Sequence, residues 1–136
     1  MAGANGDDAG LQDFLTGNHV SCRFEGLEIW KLAKEYATKV YSATAKFPRH
    51  EDYGLRSQMN RAVNSISLNI AEGSAKSSEK AFDHHLEIAV GSTFEAVAAS
   101  FLALERAYIS TEEHAVLYER GSDWRSASMR SAAHCS

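Results

Sequence analysis

His84 and His85, flanked by Asp83 and Glu87, form the densest group of side chains in this sequence with metal-binding or proton-transfer chemistry. Neighbouring residues on a helix point about 100 degrees apart, so the two imidazoles do not converge readily on one ion. Di-iron centres in helical bundles are built from Glu-x-x-His pairs on facing helices. None of the glutamates here is followed three residues later by a histidine. A P-loop and a Gly-x-Ser-x-Gly elbow are also missing. Gly91-Ser92 sits inside an unbroken helical pattern, without the sharp turn that exposes a nucleophile. Gly91 is instead expected to permit a close approach between helices. Cys22 and Cys135 lie near opposite ends with no metal-ligand spacing, and read as reduced thiols. The expectation is a non-enzymatic protein with no catalytic residue, no metal and no cofactor.

Two other groups of polar residues have a pattern. Gln58, Arg61, Ser65, Asn69 and Glu72 recur at helical spacing beside an apolar row, about a quarter turn away from it. Polar groups that close to a core are costly unless hydrogen-bonded. Arg61, Asn69 and Glu72, with Glu95 reaching across from the next helix, are therefore expected to form a structural polar layer that fixes helix register. A ligand or partner surface is the competing reading. The second group is basic. Residues 25–80 hold nine basic and seven acidic side chains, whereas residues 81–136 hold four and eight. Lys31, Lys34, Lys39, Arg49 and Arg56 are the candidate contacts for a nucleic-acid backbone. The whole chain is acidic, with a net charge of −4, and the basic residues lack interleaved aromatics, so base-specific reading is not expected.

These side chains need elements to position them, and the sequence offers four. Leu27, Trp30, Ala33, Ala37, Val40, Thr44 and Phe47 recur every three or four residues and predict a helix over about 25–45, flanked by Ile29, Leu32 and Tyr36. Pro48 marks a turn. Leu55, Met59, Ala62, Ile66 and Ile70 predict a second helix, with Gly73 as its left-handed terminal residue. Ser78 suits an N-cap. From Phe82 to Tyr108 a third helix keeps phase through Leu86, Ala89, Val90, Thr93, Val97, Phe101 and Leu104. Ser110 and Glu113 fit a capping box opening a fourth, which carries Ala115, Val116, Leu117 and Tyr118. Beyond Arg120 the apolar pattern fails. The reading is a leader at 1–23 expected to be disordered, a bundle at 24–120, and a weakly ordered or frayed tail at 121–136.

The chain has 136 residues with 44% hydrophobic content, nine glycines and one proline, which suits one helical domain. Short connections make consecutive helices antiparallel, so the fold class is an all-α, up-down-up-down antiparallel four-helix bundle. Several segments are apolar on more than one face, and that surplus predicts burial against another copy, giving a homo-oligomer. The opening residues lack a positive region followed by an apolar stretch, and the longest nearly apolar run, Ala96–Leu104, is far shorter than the ~20 residues of a bilayer span. A cytoplasmic location with no membrane partner is expected.

The stretch QMNRAVNSISLNIAEGSAKSSEKAFDHHLEIAVGSTFEA, from Gln58, resembles the signature of the bacterial four-helix-bundle family of 23S rRNA intervening-sequence proteins. The upstream FEGLEIWKLAKEYATKVYSATAKFPRHEDYGLRSQ is similar to the opening of that family, including its FP…E…YGL turn. The similarity spans about Phe24–Ile109. It implies a non-enzymatic helical subunit that joins a ring, typically a homopentamer. A related group, the accessory proteins of diversity-generating retroelements, implies RNA or a nucleic-acid-processing protein as partner. The acidic charge of this chain and its end, GSDWRSASMRSAAHCS, depart from the basic, leucine-rich pattern of those relatives.

Overall fold

The computed structural model describes residues 21–135, with side chains described for 28–131. Four helices, α1 Ser21–Thr44, α2 Leu55–Ser74, α3 Glu79–Glu105 and α4 Thr111–Cys135, account for nearly all of it, with a 3₁₀ turn at Arg49–Glu51 and no strand among the described residues. The leader expected at 1–23 lies outside the described residues except for the start of α1, and so do the thiols of Cys22 and Cys135.

Cross-helix contacts fix the directions of the chain. Thr44 donates to Asn60 at 2.8 Å and Asn64 to the Tyr41 hydroxyl at 2.7 Å, so α1 and α2 run oppositely. Ser92 donates to Ser65 at 2.9 Å and the His85 ring lies 3.1 Å from Asn69 Oδ1, which sets α3 against α2. Gly121 of α4 sits against Tyr36 of α1 and Val97 of α3, closing the square. Among the described residues each helix brings its backbone close to two neighbours, and no diagonal pair comes as near. The result is an up-down-up-down bundle.

The seams of α1, α3 and α4 follow a repeat of 3.5 residues. Ile29, Ala33, Tyr36, Val40 and Ala43 are buried in α1, with Phe47 just past its end; Phe82, Leu86, Ala89, Thr93, Ala96, Ser100 and Ala103 in α3; His114, Leu117, Gly121, Trp124, Ser128 and Ser131 in α4. Steps of three and four alternate in each, the pattern by which antiparallel bundle helices interlock side chains. α2 buries Leu55, Met59, Ala62, Ile66 and Ile70 as its spacing predicts, with Val63.

Several expectations are corrected. In α1, Ile29 and Tyr36 face the core, while Trp30 and Ala37 are only half-buried. From Ala89 onward the inner side of α3 is the small one; Phe101 faces outward and Val97 and Leu104 lie at the edge. Gly73 is not a left-handed terminus: α2 runs on to Ser74, and a Cβ on Gly73 would lie 2.8 Å from the His85 Cβ, so this glycine is the close-approach residue. Gly91 has nothing within 4 Å of a Cβ position. The segment expected to fray continues α4 without a break at Gly121, because Trp124, wholly buried, and Ala127 anchor it to the core. Gly121 is helical there, since a larger residue would meet the Tyr36 ring at 3.2 Å.

The expected caps form. Ser78 Oγ accepts the Ala81 N–H at 3.1 Å. Ser110 and Glu113 each accept the other's backbone N–H at 3.1 Å, and the acidic first turn of α4 suits its dipole. The turn from α3 to α4 closes with Tyr108 N–H on Ala103 O and Ala107 N–H on Leu104 O, leaving Ala107 at φ 61°.

Candidate functional site

The polar row of α2 splits in two. Its short members reach the helix interface: Asn69, which donates to Ser65 O one turn back at 2.8 Å, accepts from His85 Nδ1 of α3 at 3.1 Å, and Ser92 of α3 donates to Ser65. The register-fixing network is therefore Ser65, Asn69, His85 and Ser92. Arg61, Glu72 and Glu95 are exposed, contrary to the expected layer. A row a quarter turn from the core stands at the edge of the interface, where a long charged side chain reaches water at little cost. The three do converge with Asn69, around an open groove of about 660 Å³ between α2 and α3 that also takes in Leu68. The Glu72 carboxylate stands 3.8 Å from His85 Nδ1. The His84 ring is 6.0 Å from the His85 ring, and the described residues hold no group of three or more His, Cys, Asp or Glu side chains placed to bind a metal.

The basic candidates also divide. Lys31, Lys34 and Lys39 are exposed on α1, with the Lys34 ammonium 4.0 Å from the centre of the Trp30 ring. Arg49 is exposed on the 3₁₀ turn. Arg56 is committed elsewhere. Its guanidinium donates to Thr44 O, which also accepts the Phe47 N–H, and to Phe47 O, and its Nε lies 3.1 Å from Asp52. That clasp commits two of the five guanidinium N–H groups to carbonyls of the chain and sets a third beside Asp52.

Sequence reasoning missed a polar knot at the same end of the bundle. Glu51 accepts the Leu55 N–H at 3.0 Å, the Tyr108 hydroxyl at 2.8 Å and the Arg106 guanidinium at 3.2 Å. The Leu55 amide first, then the Tyr108 hydroxyl, hold the Glu51 carboxyl below the usual carboxylate range, and the same bond raises the Tyr108 phenol. His50 Nε2 lies 3.0 Å from the Tyr108 oxygen. Gly54 has no room for a side chain, since a Cβ there would sit 2.6 Å from Glu51 Oε1. The EDYGL run is the sequence signal of this turn.

The largest unexplained feature is apolar. With Ala96, Ala99, Ser100 and Ala103 turned inward, α3 presents Phe94, Phe101 and Leu102 outward, at 56%, 49% and 43% exposure. The Phe101 ring lies 4.4 Å from His114 and 6.2 Å from Tyr118, and the Arg125 guanidinium stands 5.3 Å from the Phe94 ring centre. Apolar on both sides, α3 alone among the described helices is long and apolar enough to cross a membrane by length and composition; it is packed between α2 and α4 in this fold. The signal was present as Ala89, Ala96 and Ala103 spaced by seven, small residues marking the interior.

A family model described as 23S rRNA-intervening sequence protein matches residues 25–126. The crystal structure of a protein with unknown function from the S23 ribosomal protein family of Bacteroides thetaiotaomicron superposes with a TM-score of 0.72 at 17% identity, covering 80% of this chain and 98% of that one. That likeness is one of fold. No curated protein matches the chain. On the family match, the chain belongs to the 23S rRNA-intervening sequence protein family.

Proposed function

We propose that this member of the 23S rRNA-intervening sequence protein family is a non-enzymatic scaffold or adaptor of the cytoplasm, working as a ring-like homo-oligomer. A pentamer is the assembly implied by the resemblance. The observation that carries the reading is the outer face of α3. Phe94, Phe101 and Leu102 stand half in water on a helix whose inner side is already satisfied, and contiguous apolar surface of this kind marks an interaction site. A rigid bundle with such a face supplies shape and valency rather than chemistry.

A second reading, association with RNA or with a nucleic-acid-processing protein, draws support from Lys31, Lys34 and Lys39, none of which is in an ion pair among the described residues. Arg49 extends the patch and Arg56 does not.

Light scattering on a size-exclusion peak, with absorbance at 260 and 280 nm, separates the two. A mass several times 14.9 kDa with a protein-like absorbance ratio is the expected result. Excess 260 nm absorbance that moderate salt removes would put RNA first, since phosphate contacts weaken steeply with salt. A 14.9 kDa monomer would overturn the assembly.

A further inference from the structure

We infer that Cys22 and Cys135, far apart in the chain, are register-matched at one end of the bundle and form a thiol pair that oxidation closes into an intrachain disulfide between α1 and α4.

The first argument is register. α1 and α4 are neighbours that run in opposite directions, and Gly121 of α4 meets the Tyr36 ring of α1. Cys22 precedes Tyr36 by two heptads, and Cys135 follows Gly121 by two heptads. Equal steps along antiparallel helices lead to the same level, and whole heptads return each residue to the same side of its helix. Both helices are unbroken over these spans. The alternating steps of three and four in the buried seams lead to the same positions. They carry α1 back from Ile29 through Gly26 to Cys22, and α4 on from Ser128 through Ser131 to Cys135.

The second argument is approach. A disulfide needs Cα atoms about 4.4–6.8 Å apart, a spacing that facing helices reach only where their side chains are small. The seam positions next to the cysteines are Gly26 on α1 and Ser131 on α4, with Ser128 following. Both serines are buried, so α4 is still covered one turn before Cys135.

The third is restraint. Among the described residues no hydrogen bond or ion pair joins α1 to α4 at this end. The Lys46–Glu113 pair ties the chain just past α1 to the first turn of α4, at the other end. A covalent link at the cysteines therefore falls where the two helices are held least.

Closure needs a disulfide oxidant such as oxidised glutathione. One cysteine thiolate attacks it and releases one thiol; the second attacks the mixed disulfide and releases the other. Two protein thiols are oxidised, the oxidant is reduced to two thiols, and the protons pass to the leaving thiolates. In a reducing compartment the pair stays open.

The test equilibrates the whole wild-type chain with a reduced and oxidised glutathione mixture, in native buffer and in concentrated urea. Intact mass counts the closed form, which lacks two hydrogens, and tryptic digestion should leave segments 1–23 and 131–136 joined. The fold is expected to favour closure more than about tenfold over the urea-unfolded chain, where only the connecting chain sets the effective concentration. The closed form is expected to melt roughly 10 °C above the reduced one. Cys22→Ser should abolish both the closure and the gain. Closure no more favourable in native buffer than in urea would overturn the pairing, and so would cross-linked dimers on a non-reducing gel in place of the closed monomer.

Discussion

The hydroxyl of Tyr108 donates to Glu51 Oε2 at 2.8 Å, tying together two turns 57 residues apart at one end of the bundle. The same carboxylate holds the N-terminal amide of α2 and the Arg106 guanidinium, so one side chain organises both connections. This is the most fully bonded polar site of the described residues, and its partners account for its form.

Glu51→Gln is therefore expected to lower the melting temperature at neutral pH. Because the folded carboxyl titrates below its unfolded value, near ~4.3 for a free glutamate, its contribution is present above that pH and is lost as pH falls through the folded value. The wild-type and Gln curves should converge in acid. Parallel curves from pH 7 to pH 3 would remove the knot's ionic character.

Ala107 occupies the left-handed region that costs a residue with a Cβ about 1 kcal/mol, part of which glycine's greater unfolded-state freedom offsets. Ala107→Gly is expected to stabilise by about 0.5 kcal/mol, seen as a higher urea midpoint with an unchanged slope.

Two glycines inside helices should respond oppositely. Gly91→Ala, which meets nothing, is expected to stabilise by about 0.5–1 kcal/mol. Gly121→Leu drives a side chain into Tyr36 and Val97 and should cost about 1–3 kcal/mol. Thermal unfolding at one protein concentration reads both, since assembly shifts apparent stability.

Trp124→Ala should cost about 3–5 kcal/mol, because it empties the site of the largest fully buried side chain. Little change in melting would mean that α4 beyond Arg120 is not part of the core.

Phe94→Ser is expected to leave the helical content unchanged and to weaken self-association by more than about tenfold, the scale of a buried aromatic anchor. An unchanged mass at micromolar concentration would show that the outer face of α3 is not the contact.

How far these features were legible differs from helix to helix. In α2, large apolar residues alternate with a polar row, so period and direction were both visible, and the caps at Ser78 and Ser110 followed from residue type and spacing. In α3 both sides are apolar. Hydropathy established a helix but could not select its inner side, and it favoured Val97 and Phe101 over the alanines that are buried. In α4 the seam is His114, Leu117, Gly121, Trp124, Ser128 and Ser131, too polar to read as a core. Of the row Arg61, Asn69 and Glu72 with Glu95, three side chains are exposed, since spacing gives direction around a helix but not side-chain reach.

By itself the sequence determined that this chain makes four antiparallel helices, where two of them are capped, and to which family it belongs. Those properties depend on local dihedral preference, short-range hydrogen bonds and the departure of apolar residues from water. Only the tertiary structure decided which side of α3 is inside, that α4 extends past Gly121, and that Glu51 joins two distant turns. The reason is that packing is settled by volumes matched across helices: Gly121 is buried because Tyr36 needs the space, and the small side of α3 lies inside because its neighbours approach closely there. Such complementarity belongs to pairs of residues far apart in the chain, and a pattern read along one helix does not contain it.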